Sequence, residues 1–129
     1  MLRVFGSPTE KEALRRLVGG MAQVAGIRLV ELADGRVRGL RAAEVYTGSG
    51  FRFQVLLDRG LDLGAAEHYG RPLAWLHPAL GAPALHEPGG LGWLRTFGGG
   101  LVTTCGLDHV GAPDPEGDGY GLHGRASHL

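Results

Sequence analysis

The sequence predicts a mainly β protein, an antiparallel β-sandwich with one short N-terminal helix, and three observations predict it. Twenty-four glycines stand among 129 residues, well over twice the usual share of about 7%, so the chain must reverse often. The glycines follow no fixed period and the apolar fraction is 43%, which excludes collagen-like and disordered chains. Several short runs alternate apolar and polar residues between turn signals, the period of strands.

The elements follow in order. Ser7-Pro8-Thr9-Glu10 reads as a helix start, with Ser7 as cap, Pro8 at the first helical position and Glu10 three residues after the cap. Leu14, Leu17 and Val18 share a helical face, and Gly19-Gly20 after Arg15-Arg16 is a stop, so the spacing predicts a short helix over 7–19. A β-meander over 21–76 comes next. Its first two strands, Gln23 to Leu32 and Val37 to Tyr46, are joined through Asp34-Gly35, a hairpin signal. After the reversal at Gly48-Ser49-Gly50, Phe51, Phe53, Val55 and Leu57 alternate with Arg52, Gln54, Leu56 and Asp58, and the aromatic face is expected to look into a core. Asp58 to Gly64 breaks that strand, and Ala65 to Tyr69 with Arg71 to Leu76 form a hairpin turning at Gly70.

Between 77 and 92 the prolines Pro78, Pro83 and Pro88 alternate with glycines, which excludes helix and central strand and predicts a long loop. The remainder, 93–129, is glycine-rich. Gly98-Gly99-Gly100 leads into the strand-like run Leu101 to Leu107, and a backbone so free of side chains can approach a ligand or another strand closely. Cys105 in that run is expected to pack as a small hydrophobe. The whole chain, 1–129, fits one domain.

Thirteen basic and thirteen acidic residues leave no net field to draw the chain onto nucleic acid or an anionic membrane. One cysteine allows no intrachain disulfide, and no run approaches the ~20 apolar residues of a membrane span, so a cytoplasmic, unexported protein is expected. The six histidines, His68, His77, His86, His109, His123 and His128, lack both the His-x-x-x-His and the His-x-His spacings, so no metal motif is present.

Acid/base work on a sugar suits this composition better, because imidazole titrates near neutrality. His109 and His123, each following a short strand-like stretch among glycines, are the leading candidates, against the plainer role of bonding a loop carbonyl. Arg95 and Arg125 lie in apolar or glycine-rich sequence, where a guanidinium needs a partner. That partner is either sugar hydroxyls or an acidic substituent, or else Asp108, Asp58 or Asp62. Within Asp58-Arg59-Gly60-Leu61-Asp62 the favoured reading is self-pairing of Arg59 with an acid of the turn. Trp93, beside the long loop, is the expected platform for a sugar face, whereas Trp75 in Leu73-Ala74-Trp75-Leu76 reads as core.

Four segments in order, Asp58-Arg59-Gly60-Leu61-Asp62-Leu63-Gly64, Leu91 to Leu101, Thr104-Cys105-Gly106-Leu107 and Gly121-Leu122-His123-Gly124-Arg125, resemble the bacterial DUF4432 proteins, related to aldose 1-epimerases. The resemblance implies the N-terminal portion of a galactose-mutarotase-like supersandwich whose parent chain is longer. In mutarotases a His-Gly histidine contacts the sugar, matched here by His123. A second histidine serves as general acid and a glutamate as general base, and both are expected beyond Leu129, so this chain alone is expected to be inactive. Glu116, in an acidic Pro/Gly-rich tip, reads as solvated. The expected ligand is a monosaccharide or sugar derivative, held by His123, Arg125, Arg95, His109 and Trp93, with anomer interconversion needing no cofactor. The alternatives are a carbohydrate-binding or sensor module without turnover and a structural fragment. Exposed sheet edges further suggest a homodimer.

Overall fold

A computed structural model describes residues 2–4, 6–78, 89–117 and 119–128. It is mainly antiparallel β, with sheets that do not close into a barrel. β1 (Leu2–Val4) and β2 (Ser7–Thr9) form a hairpin, followed by α1 (Lys11–Arg15). The main sheet carries β3 (Gly26–Glu31), β4 (Arg41–Tyr46), β5 (Phe51–Leu56), β6 (Asp62–His68) and β7 (Arg71–Pro72) in that order. β8 (Trp75–Leu76) pairs with β9 (Gly99–Gly100) in a two-stranded ribbon. Among the described residues no helix is long and apolar enough to cross a membrane.

The expected helix over 7–19 shrinks to 11–15. Gly6 adopts φ +83° and turns the chain so tightly that Ser7–Thr9 pairs with Leu2–Val4, and Glu10, not Ser7, precedes the helix without a side-chain cap. Leu14 packs with Val4, Val24, Val18 and Met21, but Leu17 is 80% exposed, because the helix ends before it. The strands of the expected meander are present but shorter, starting at Gly26 and Arg41, and Trp75–Leu76, expected in the hairpin that turns at Gly70, pairs with Gly99–Gly100 instead. Tyr69 and Gly70, both with positive φ (50° and 73°), supply the paired left-handed residues of a tight β6–β7 hairpin.

The register of the sheet explains its two faces. Val30, Ala42, Leu56 and Asp62 stand side by side across four strands, and Leu40, Ala42 and Leu56 form the buried cluster there, with Val30 and Leu32 against it. Leu56, not the aromatic face, is thus the most buried residue of β5. Phe51 and Phe53 stack at 5.2 Å and remain half-buried. Gly64 leaves room for Leu56, since a Cβ there would lie 3.1 Å from its side chain. A bulge between Phe53 and Val55 shifts the β5–β6 register and keeps Ala66 buried.

Beyond the end of β5 the turn holds Gly60 at φ +56° and Leu61 at φ +63°. Arg59 and Asp62 close it as a buried ion pair (3.8 Å, side chains 3% exposed), the self-pairing expected of this turn. Asp62 Oδ1 also accepts the Thr104 backbone N–H, and Thr104 Oγ1 donates to Gly60 O at 2.8 Å. Burial pushes the Asp62 carboxyl above and the Arg59 guanidinium below its ordinary range. Desolvation therefore outweighs their attraction. At the sheet surface Asp58 accepts from Arg41 Nε at 3.0 Å and from its backbone N–H at 2.9 Å.

Arg59→Met alone should leave Asp62 buried without its cation and destabilise the protein by about 3–5 kcal/mol, whereas Arg59→Met with Asp62→Asn, which removes the charge and keeps an acceptor for Thr104, should recover part of that loss; urea unfolding of the four members of the cycle measures both. The Arg41 side-chain hydrogen bonds, then its backbone N–H, hold the Asp58 carboxyl below the usual carboxylate range. The folded state is therefore favoured above the unfolded value of about 3.9, and that contribution disappears as pH falls through the lower folded-state value. Asp58→Asn should accordingly flatten the acid limb of the stability curve between pH 5 and pH 2, read by thermal melts across that range.

Candidate functional site

The Gly98-Gly99-Gly100 run positions the site by approaching another strand. Gly99 and Gly100 have φ +71° and +125°; a Cβ on Gly99 would collide with the Trp75 carbonyl, and one on Gly100 would lie 2.5 Å from the Leu63 carbonyl oxygen. Only glycine lets this backbone lie against β6 and β8 at such distance. Leu101 N–H then bonds Leu63 O at 2.7 Å, and Val102 bridges Leu63. The expected strand over 101–107 ends there. Leu107 is 80% exposed and Cys105 is exposed instead of packed, because past Thr104 the chain has no strand to pair with among the described residues.

Thr104, anchored to Asp62, releases the chain into the loop that carries Asp108, His109 and Gly111. Asp108 Oδ1 accepts the His109 N–H at 3.0 Å and the Arg125 N–H at 3.4 Å, and its buried Oδ2 lies 3.3 Å from Arg125 Nε. Oδ2 is the buried side-chain oxygen that has no hydrogen bond among the described residues, so its contact with Arg125 is ionic. Gly124, at φ +66°, clears the carboxylate; a Cβ there would collide with Asp108 Oδ1. His109 donates Nε2–H to Ala112 O at 2.8 Å, and its ring lies parallel to Tyr120 at 5.4 Å.

His123 is doubly tied to Gly111. Its N–H donates to Gly111 O at 3.1 Å, and its Nδ1 accepts the Gly111 N–H at 3.1 Å. A ring nitrogen that accepts carries no proton, so the neutral imidazole holds its proton on Nε2. His123 also takes φ +57°, a left-handed conformation that costs a non-glycine residue roughly 1–2 kcal/mol and that gathers at functional positions. The edge-on contact of its ring with Trp93, 4.8 Å between centroids, fixes its plane.

Trp93 lies in the short 3-10 turn Gly92–Arg95. It is 8% exposed, stacked on Phe97 at 4.6 Å, so it supports His123 and offers no open face. The exposed ring is Trp75, 62% accessible, beside Phe97 at 6.1 Å and His77 at 5.7 Å; short β8 lies on the surface, which reverses the two tryptophans' expected exposure. Arg95 stands exposed on the turn that bears Trp93. Asp108 binds Arg125, Asp58 binds Arg41 and Asp62 binds Arg59, and Arg95 has an interaction of its own.

The structure thus joins His123, Trp93, His109 and Arg125 through Asp108, one of the acids expected to pair with these arginines, and through Gly111, which the sequence did not single out. Its signal was its nearness to His109 and to the Pro/Gly loop. His86 and most of the long loop over 77–92 lie outside the described residues. Two open cavities, of about 340 Å³ beside Phe53, Glu67 and Leu76 and about 500 Å³ beside Tyr46, Arg52 and Tyr69, contain no histidine. Among the described residues no three His, Cys, Asp or Glu side chains gather as metal ligands.

The fold and this loop cluster define a mainly antiparallel β protein with histidine, arginine and aspartate side chains gathered in its C-terminal loops. The chain belongs to the family described as domain of unknown function DUF4432, whose profile matches residues 37–129, a span that includes all five candidate residues. No curated protein and no solved structure matches the chain.

Gly124→Ala should displace Asp108 and strain the turn, lowering stability by about 1–3 kcal/mol, measurable by denaturant unfolding. Long-range 1H–15N NMR of the histidine rings at alkaline pH should show His123 as the Nε2–H tautomer. The Nδ1–H pattern would remove the Gly111 bond from the site.

Proposed function

We propose that this chain carries the sugar-recognition part of a protein related to aldose 1-epimerases, and that its ligand is a monosaccharide or sugar derivative. The observation that carries the reading is the single donor orientation of His123. With Nδ1 engaged by Gly111, the ring offers Nε2–H, which suits the lone pairs of a ring oxygen or hydroxyl. Arg125, with its side chain 66% exposed and its Nε beside Asp108, extends a planar fork of donors toward solvent, the geometry that pairs with vicinal hydroxyls or an acidic substituent. Arg95 stands exposed on the neighbouring turn, and His109 and Trp93 set the walls of the loop cluster.

Anomer interconversion needs a general acid at the ring oxygen and a base at the anomeric hydroxyl. Asp108 is committed to two backbone N–H groups and Arg125, and His109 to Ala112, so these residues supply binding. Proton transfer belongs to groups the resemblance places elsewhere in the parent protein. A second reading, a carbohydrate module without turnover, is favoured by the same commitment of Asp108 and His109.

His123→Ala should weaken binding of the responsive aldose about tenfold or more, the loss of one or two well-placed hydrogen bonds, while leaving the far-UV circular dichroism unchanged; saturation-transfer NMR across an aldose panel measures it. Binding that survives the substitution in full would count against His123 as a ligand contact. Polarimetry on the longest available form of the protein separates the two readings, since accelerated anomer exchange belongs to the epimerase and binding without acceleration to the module.

A further inference from the structure

We infer that β3 is a dimerisation edge, pairing antiparallel with β3 of a second copy about a two-fold axis at Leu29. The phase of the hydrogen bonds carries the argument. Leu32 N–H bonds Leu40 O at 2.9 Å, so in the unbroken β3–β4 register Val30, Arg28 and Gly26 turn their backbone groups toward Ala42, Glu44 and Tyr46. The β5 side agrees: Leu57 N–H bonds Arg41 O and Thr47 N–H bonds Phe51 O, so the odd-numbered residues of β4 face β5. Ile27, Leu29 and Glu31 therefore point their N–H and C=O groups away from the sheet. Among the described residues β3 is the last strand on that side.

These outward residues are self-complementary. Centred on Leu29, antiparallel pairing sets Leu29 opposite its own copy and Ile27 opposite Glu31, and every outward N–H and C=O of the strand finds a partner. Centring on Arg28 would oppose two arginines, which is destabilising, and centring on Val30 would leave Ile27 opposite a residue beyond the strand. Arg28 lies on the other face, bound to Glu44 at 2.9 Å, so Glu31 is the one β3 charge on the face that Ile27 and Leu29 share, and β3 holds no proline. Ile27 and Leu29 are 69% and 77% exposed, at the open end of the apolar rows Ile27-Val45-Phe53 and Leu29-Ala43-Val55.

Sedimentation velocity of the 129-residue chain at micromolar concentration should show a dimer, and Leu29→Lys should weaken it at least tenfold with the far-UV spectrum unchanged. A monomer in the unsubstituted chain, or a dimer indifferent to Leu29→Lys, overturns the assignment. Should Leu29→Lys fail to fold, Leu29→Cys on a Cys105→Ser background reads the register instead. The symmetric pair, with Cα atoms about 5.5 Å apart, falls within disulfide range, so mild oxidation should give a covalent dimer. Only monomer under oxidation, or equal cross-linking of an Arg28→Cys variant, refutes the register.

Discussion

The buried pair of Arg59 and Asp62 is the junction through which the sheet holds the rest of the chain. It closes the turn that reverses β5 into β6, and Asp62 then reaches across to the Thr104 backbone while Thr104 reaches back to Gly60. The loop of Asp108 follows that tie and the Leu63 bonds to Leu101 and Val102, while the turn of His123 is held as well through Leu122 N–H to Gly90 O, the Trp93 ring and the bond between Thr96 and His128. The shifts of both groups toward their neutral forms show that the pair is costly to bury. Its worth is positional: a carboxylate that must accept from Thr104 admits one placement of the following loop.

The path from sequence to fold was legible where the signals were local. Asp34-Gly35, Gly48-Ser49-Gly50 and Gly70 marked reversals that the structure makes, and the alternation of β5 marked a strand. It failed where a tertiary partner decides. Ser7-Pro8-Thr9-Glu10 has the chemistry of a helix start, but Gly6 brings Leu2–Val4 alongside, and the ladder overrides the cap. Burial of Leu56 over the Phe51 and Phe53 face likewise depends on Ala42 and Gly64 from neighbouring strands, which no periodicity within β5 reveals.

The candidate site divides in the same way. His123 and Arg125 stood out because a histidine and an arginine set among glycines are local oddities. Asp108 was only one of three acids offered as partners to the arginines, since the choice is made by a contact across 17 residues with Arg125. The tryptophans exchanged exposure for a comparable reason: the Trp93 ring is caught between Phe97 and His123, while Trp75 lies on a two-residue ribbon too short to be covered. Glycine likewise does two different jobs, letting strands meet at Gly99 and Gly100 and sparing a carboxylate at Gly124.

The pairing of His123 with Gly111 has a consequence for how protons can travel. An imidazole hydrogen-bonded at one nitrogen to an acid or a water can relay, taking a proton on one side while releasing another on the far side. Here the inner nitrogen faces a peptide N–H, which neither gives up its proton nor accepts another. The ring is closed at the back, so whatever it exchanges must leave and return through Nε2, and His123 is wired as a terminal and not as a conduit.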